Sequence, residues 1–108
     1  MPSSKTVEFD EPDCRLAAWA KAFGHPARIA ILRELASRKE CVCGEIVEVL
    51  PLAQSTVSQH LKALLEAELI QGRLDGPRSC YCVNWETMRQ FRMVFEAFMD
   101  VPNGKSCC

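Results

Sequence analysis

Seven cysteines are the residues of this chain whose type and spacing point most directly to chemistry. They are Cys14, Cys41, Cys43, Cys80, Cys82, Cys107 and Cys108. The segment Cys41-Val42-Cys43 places two sulfurs one residue apart, where both can bind one ion. Thiolates are soft ligands, and they suit arsenite, antimonite or cadmium better than magnesium or calcium. In the alternative interpretation, the two cysteines are small apolar side chains buried at the start of a helix.

The remaining cysteines are weaker candidates. Cys107 and Cys108 form a vicinal pair near the C-terminus and are possible additional donors, within one subunit or across a dimer, although incidental thiols in a tail are an equal alternative. Cys80 and Cys82 lie on one face of a predicted strand, where they could hold a second ion, but we favour a plain sheet lining. The spacing does not decide a role for Cys14.

The cellular compartment bears on how these thiols are interpreted. The sequence has no apolar run of membrane-spanning length and no basic and apolar leader, so we predict a cytoplasmic protein with no membrane partner. Thiols in a reducing compartment are more often metal ligands or redox groups than structural disulfides. The composition therefore supports a ligand role for Cys41 and Cys43.

Residues 52–65 form a predicted helix with one apolar and one polar face. Val57, Leu61, Leu64 and Leu65 follow helical spacing, and no Asp or Glu occurs between Val49 and Leu65. Amide and hydroxyl side chains without acids suit a helix that lies in a DNA major groove. The predicted contacts are Gln54, Ser55, Thr56, Ser58, Gln59, His60 and Lys62. The alternative is an ordinary solvated surface helix.

The surrounding elements place this helix in a helix-turn-helix. Residues 1–11 are acidic and without period, which indicates a flexible arm. Two helices follow, the second beginning at Pro26 with His25 as its cap or as a core residue. A short helix from about residue 43 to residue 50 is ended by Pro51, directly before the polar-faced helix.

A β-hairpin is predicted after the helix-turn-helix. Residues 69–73 and 79–84 alternate in polarity, with the turn Asp75-Gly76-Pro77 between them. Arg73 and Arg78 near its tip could contact DNA phosphates or a minor groove, as in a wing. A plain surface hairpin with solvated arginines is equally consistent with the spacing.

The first and last helices carry large apolar side chains at steps of three or four. Asn84 is the predicted cap of the last helix. We predict that these helices form a two-fold homodimer interface, while part of the stripe serves the core of each chain. The interface candidates are Leu16, Trp19, Phe23, Met88, Phe91, Phe95 and Phe98.

Length and charge agree with one small domain. The 108 residues suffice for a single domain, predicted at 12–100, with a flexible cysteine-containing tail at 101–108. The net charge of −1 argues weakly against a nucleic-acid partner, but the acids cluster near the N-terminus and are absent from the polar-faced helix. The predicted fold is mainly α with a small β-hairpin (α+β), a winged helix-turn-helix of about five helices and a two-stranded wing.

Three segments in this order resemble one family. FGHPARIAILREL, ECVCGEI and QSTVSQHLKALLEAELI are similar to the ArsR/SmtB family of arsenic- and metal-responsive repressors, in its arsenic-responsive branch, over residues 13–98. The resemblance implies a winged helix-turn-helix homodimer that represses an operon. It also implies release from double-stranded operator DNA when a thiophilic ion binds.

Three positions depart from the family pattern. The arsenic-responsive motif is Cys-x-Cys-x-x-Cys around trivalent, pyramidal arsenic, and Cys41 and Cys43 match it, but Ile46 occupies the third position and cannot bind the ion. Ala53 replaces a usual Ser cap, whose loss costs about 1 kcal/mol. Glu68 replaces a common Gly, which strains the chain by about 1 kcal/mol if the backbone there is left-handed.

The resulting prediction is a non-enzymatic repressor with arsenite as effector and no organic cofactor. A repressor of the same fold that responds to thiol oxidation or to cadmium or lead is the first alternative. A small thiol oxidoreductase or metal carrier is the second, although the spacing is not Cys-x-x-Cys and no βαβ pattern surrounds it. The third sulfur donor, the preferred arsenical or antimonite, and the operator sequence stay open.

Overall fold

A computed structural model describes residues 9–38, 41–43, 50–75 and 78–100. This part of the chain contains four helices and three short strands. In chain order they are α1 (Glu11–Phe23), α2 (Pro26–Ala36), β1 (Val42–Cys43), α3 (Gln54–Glu66), β2 (Ile70–Asp75), β3 (Arg78–Val83) and α4 (Trp85–Met99). The predicted winged helix-turn-helix architecture is confirmed. Residues 1–8 of the predicted arm, the whole predicted tail and most of the predicted short helix lie outside the described residues.

Local capping chemistry explains where the helices begin and end. Pro12 lies in the first turn of α1, and the chain leaves that helix at Gly24. His25 caps α2 by accepting a hydrogen bond from the Ala27 backbone N–H at 3.0 Å, which is one of the two roles that the sequence left open for it. Asn84 caps α4 in the same way through the N–H of Thr87, at 3.3 Å.

The core lies where α1, α2 and α3 meet the sheet. Its fully buried side chains come from the predicted apolar faces, with Ile31 on α2, Val57 and Leu64 on α3, and Leu69 and Ile70 at the start of β2. Burial of these side chains is the main favourable term holding α3 in place. The polar face of α3 is thereby turned outward.

The sheet has three strands in the order β1-β3-β2, all antiparallel neighbours. β2 and β3 form the predicted hairpin, with Ile70 opposite Val83 and Asp75 opposite Arg78. β1 pairs with the other side of β3, with Val42 opposite Tyr81 and Cys43 opposite Cys80. The hairpin therefore has an additional strand that the sequence analysis did not predict.

This additional strand corrects the expectation for the Cys41-Val42-Cys43 segment. The sequence predicts that Cys43 lies at the start of a helix, whereas the structure places Val42 and Cys43 in β1. A two-residue strand carries no detectable periodicity, and its conformation is set by backbone hydrogen bonds to β3. Val42 and Cys43 of the thiol motif therefore belong to the sheet.

Within the residues described, no helix combines the length and the apolar character that crossing a membrane would require.

Candidate functional site

α3 presents a polar surface on the side opposite the core. Gln54, Ser55, Ser58, Gln59 and Lys62 are exposed along it. Thr56 is half-buried. The side chains of this surface donate and accept hydrogen bonds, and none of them is acidic. Such a surface can contact base edges and phosphates.

His60 does not belong to this surface, and the prediction that it faces DNA or solvent was wrong. The residue is only 8% exposed. Its Nδ1 accepts a hydrogen bond from Arg28 Nε at 3.1 Å, and its ring lies 4.4 Å from that of His25. The position of His60 in the sequence already indicated its burial. The residue is three positions after Val57 and four before Leu64, which places it on the apolar side of the helix.

The surroundings of His60 favour its neutral form. Burial of the ring, and after it the charges of His25 and Arg28, lower the pKa of His60 below its ordinary value. Arg28 also donates to the carbonyl oxygens of Lys21 and Ala22 at the end of α1, at 3.4 and 3.3 Å. The Arg28 and His60 pair thus joins α1, α2 and α3.

Two of the three departures from the family pattern lie at the ends of α3. Ala53 occupies the N-cap position and supplies no side-chain cap, as predicted. Glu68 has a φ of 61°, so the left-handed backbone considered in the sequence analysis is present. The N–H groups of Glu68 and Leu69 donate to the carbonyls of Leu65 and Leu64, both at 3.0 Å. These bonds form a Schellman turn that leads from α3 into β2.

The backbones of Arg73 and Arg78 lie on the two hairpin strands. Arg78 is opposite Asp75 next to the turn, and Arg73 is opposite Cys80. Their side chains and residues 76–77 lie outside what the structure describes. The contact of these arginines with DNA stays a prediction.

The cysteines of β1 and β3 are brought together across the sheet. Cys41 forms a disulfide with Cys82, with their Cα atoms 4.5 Å apart and a sequence separation of 41 positions. Cys80 is only 1% exposed and is disulfide-bonded as well. Since Cys43 is the Cα partner of Cys80, the two Cys-x-Cys motifs run antiparallel to one another.

Cys82 is the functional candidate that sequence reasoning underrated. Sequence reasoning favoured a sheet lining for Cys80 and Cys82 and did not consider them together with Cys41 and Cys43. The available signal was that both motifs have the same spacing of two, which matches the repeat of a strand. Two such motifs on neighbouring antiparallel strands come into register.

A soft ion fits this set only when the thiols are reduced, because a sulfur in a disulfide is not a thiolate ligand. Among the residues that the structure describes, no group of three or more His, Cys, Asp or Glu side chains is arranged to hold a metal ion. Cys107 and Cys108, the predicted additional donors, lie outside the described residues. Cys14 lies half-buried on α1, with its Sγ 4.0 Å from the carbonyl oxygen of Phe9.

The predicted interface residues divide into core and surface. Trp19 is only 6% exposed and packs edge-to-face on Phe91 at 5.7 Å, so its assignment to the dimer surface was wrong. Phe23, at 4.8 Å from Phe91, also packs partly against the core. Phe95 and Phe98 stay 41% and 63% exposed. The remaining candidates, Leu16, Met88 and Phe91, are half-buried.

Together α1 and α4 form an open apolar groove on the surface of the chain. Leu16, Ala20, Phe91, Phe95 and Phe98 line it. Its apolar side chains are unsuited to water and suited to a second helical surface.

Comparison with known sequences identifies similar proteins. A helix-turn-helix domain family matches residues 23–73. The arsenical resistance operon repressor of Bacillus subtilis is 42% identical over 67 residues, which cover 61% of this chain and 63% of that protein. The repressor of the same name from Staphylococcus xylosus is 27% identical over 92 residues, covering 85% and 88%. The regulator YgaV of Escherichia coli is 33% identical over 72 residues, covering 67% and 73%.

Solved structures of similar fold are also found. An ArsR-like transcriptional regulator from Rhodococcus sp. RHA1 superimposes with a TM-score of 0.69 at 21% identity, covering 79% of each chain. A possible transcriptional regulator for arsenical resistance superimposes with a TM-score of 0.63 at 29% identity, covering 72% of this chain and 80% of the other.

Proposed function

Because the chain belongs to the ArsR/SmtB family of winged helix-turn-helix transcription regulators, we propose that it is an arsenic-responsive repressor in the cytoplasm. It binds double-stranded operator DNA as a homodimer. It leaves the DNA when cysteine thiolates bind trivalent arsenic or antimony. Cys41 and Cys43 are the primary ligands, with Cys107 and Cys108 as possible additional donors, and the protein is not an enzyme.

DNA binding is assigned to the exposed face of α3. Its core-facing side is anchored by Val57 and Leu64, which are fully buried, so the helix presents Gln59 and Lys62 outward without losing its own support. Amides can form paired hydrogen bonds with adenine, and a lysine contacts phosphate or guanine. Arg73 and Arg78 are the proposed phosphate contacts of the wing.

Homodimer formation is assigned to the groove between α1 and α4. Phe95 and Phe98 leave exposed apolar surface there that a second copy of the chain would cover. A two-fold dimer places its two recognition helices about 34 Å apart, one turn of DNA, and so binds a palindromic operator.

The response to arsenic is supported by one observation, the position of Cys41 beside the wing. Cys41 is held 4.5 Å from Cys82 between Cα atoms, and Cys82 lies on the hairpin that carries the wing arginines. An ion bound at Cys41 therefore acts on an element that also contacts DNA. Relatives named arsenical resistance operon repressors support arsenic as the ion.

The path from the thiols to α3 runs through the sheet. β3 pairs with β2, and the end of β3 is tied to the start of β2 by the Asn84 N–H, which donates to the Leu69 carbonyl at 3.0 Å. Leu69 in turn closes the Schellman turn at the end of α3. Since binding of the two ligands is coupled, operator DNA must weaken arsenic binding by the same factor.

Operator release by arsenite tests this proposal. The reduced protein is titrated onto fluorescent DNA from upstream of its own gene, with and without arsenite. We expect arsenite to weaken binding of the wild type about 5- to 150-fold. The same dose should leave Cys41→Ser unaffected, with Cys14→Ser as the matched control that behaves as wild type. Equal release of Cys41→Ser and wild type would show that Cys41 is not part of the sensor.

A thiol–disulfide switch is the second candidate, favoured by the Cys41–Cys82 disulfide itself. A low-molecular-weight disulfide RSSR would oxidise the two thiols to the protein disulfide and leave as two RSH. The measurement is operator binding after treatment with RSSR in the absence of any metal. Release that is lost in Cys82→Ser supports the switch, whereas unchanged DNA affinity of the oxidised protein excludes it.

A further inference from the structure

We propose that Cys80 and Cys82 of the wing supply the sulfur donors that the Cys41 and Cys43 pair lacks, so that the four cysteines form one soft-ion site across β1 and β3. The inference rests on the proposed function, because it names the remaining ligands of the same sensor. The site would take trivalent arsenic through three thiolates or a divalent soft ion such as Cd²⁺ through four.

The sheet register carries the proposal. Cys43 is opposite Cys80, and Cys41 is bonded to Cys82, so each cysteine of one motif is matched by a cysteine of the other. Antiparallel pairing thus brings together two pairs of sulfur-bearing residues whose positions are about 40 residues apart in the chain. Ile46, which replaces the third family cysteine, is then no longer a gap in the donor set.

Distances permit an ion between Cys41 and Cys82 in the reduced state. Two sulfurs that bind one ion at about 2.3 Å each are separated by up to about 4 Å in a tetrahedral site. A disulfide has its sulfurs about 2 Å apart, so reduction and rotation of the side chains must separate them by about 2 Å. The Cα separation of 4.5 Å leaves room for that movement without displacing the strands.

The surroundings select a soft ion. Cys80 is almost fully buried, and Cys41 and Cys82 are half-buried, so water competes weakly for the bound ion. A donor set made only of sulfur excludes hard ions such as magnesium. Binding of arsenite would be balanced as As(OH)₃ + 3 RSH → As(SR)₃ + 3 H₂O, with no oxidant or reductant required.

The position of the site explains how ion binding could change DNA binding by the wing. Cys80 lies between Cys43 on one side and Arg73 on the other, in neighbouring strands of one sheet. An ion that draws β1 and β3 together acts on β3, and β3 pairs through Cys80 with Arg73 of β2, the proposed phosphate contact. The wing is therefore part of the sensor as well as part of the DNA-binding surface.

Cysteine protection measured by mass spectrometry tests the donor set. The full-length protein, reduced with a phosphine, receives one equivalent of arsenite or Cd²⁺ and is then alkylated and digested with trypsin. Lys and Arg positions separate the cysteines into four peptides, 6–15, 40–62, 79–89 and 106–108. We expect either ion to protect peptides 40–62 and 79–89, while Cys14 in peptide 6–15 is alkylated fully.

Affinity supplies the second readout. Loss of a group that only supports a ligand weakens metal binding about 10- to 100-fold, so loss of a direct donor in Cys82→Ser should weaken Cd²⁺ binding by at least about tenfold. Cys14→Ser should bind as wild type. Operator binding by the reduced, ion-free Cys82→Ser protein shows that the variant is folded.

The outcomes separate this site from the proposed function. Protection of peptide 40–62 alone, or together with peptide 106–108, overturns the four-cysteine site even if arsenite releases the operator. Protection of peptides 40–62 and 79–89 establishes the site, and retention of DNA in that state would then refute only the arsenic-responsive repressor.

Discussion

Glu68 is the residue at which the chain turns from α3 into β2. Its φ of 61° is unfavourable for any residue with a Cβ, yet the turn forms because the carbonyls of Leu64 and Leu65 are satisfied there. The core contacts of Leu69 and Ile70 on the next two positions hold the conformation in place. The strain is therefore local and removable.

Glu68→Gly should stabilise the protein by about 1 kcal/mol, because glycine adopts a left-handed backbone without a steric penalty. The measurement is the free energy of unfolding from urea denaturation of the reduced protein. Ala67→Gly is the matched control, since Ala67 has an ordinary φ of −83° and should lose about 0.5 to 1 kcal/mol. Equal destabilisation by both changes would contradict the strain at Glu68.

His60 makes the stability of the fold depend on pH. Because its pKa is lowered in the folded state, the unfolded chain binds more protons when the pH falls below the ordinary histidine value. The contribution of His60 is therefore fully present above that value and is lost as the pH falls through the lowered pKa. Below the lowered pKa the loss is complete.

Arg28→Gln should raise the pKa of His60 toward its ordinary value, because the charge of Arg28 is one of the causes that lower it. NMR titration of the His60 ring measures this directly. Arg33→Gln is the control, as Arg33 lies exposed on the same helix. A His60 pKa that is unchanged in Arg28→Gln, or ordinary in the wild type, would contradict the assignment.

At the scale of the element, α3 has one face that packs into the core and an opposite face that we propose binds DNA. Leu64 is fully buried against the core, whereas Gln59 is exposed on the polar surface. Substitutions on the buried face should therefore change stability, and substitutions on the exposed face should change DNA binding. His60 is buried although the adjacent Gln59 is exposed, because neighbouring positions on a helix point in different directions.

Leu64→Ala should destabilise the protein by about 3 kcal/mol, because it leaves a cavity in the core. Gln59→Ala should change the free energy of unfolding by less than about 0.5 kcal/mol and weaken operator binding about tenfold. Urea denaturation and fluorescence anisotropy on operator DNA measure the two effects. A Gln59→Ala protein with wild-type DNA affinity would remove that residue from the reading surface.

At the scale of the whole molecule, the groove between α1 and α4 leaves apolar side chains exposed on the single chain. Phe98 is 63% exposed, and Phe95 stacks between Phe98 and Phe91 in a row that runs from the surface to the core. A second copy that covers this row would also set the distance between the two recognition helices. In the proposed dimer, the spacing of the operator half-sites therefore depends on this groove.

Phe98→Glu should raise the dissociation constant of the dimer by at least about tenfold, because it buries a charge in an apolar contact. Met93→Glu is the control, since Met93 is 60% exposed and lies on another side of α4. Sedimentation equilibrium measures both. A Phe98→Glu protein as dimeric as Met93→Glu would place the interface elsewhere.

The order of the four described helices and the hairpin, the apolar face of α3 and the cap at Asn84 followed from the sequence, because each depends on residues within a few positions of one another. The pairing of β1 with β3, the disulfide between Cys41 and Cys82, and the burial of Trp19 were decided only by the tertiary structure. These features depend on contacts between distant segments. A local sequence pattern does not show which strand a two-residue segment such as β1 will pair with, or which helix will cover the ring of Trp19.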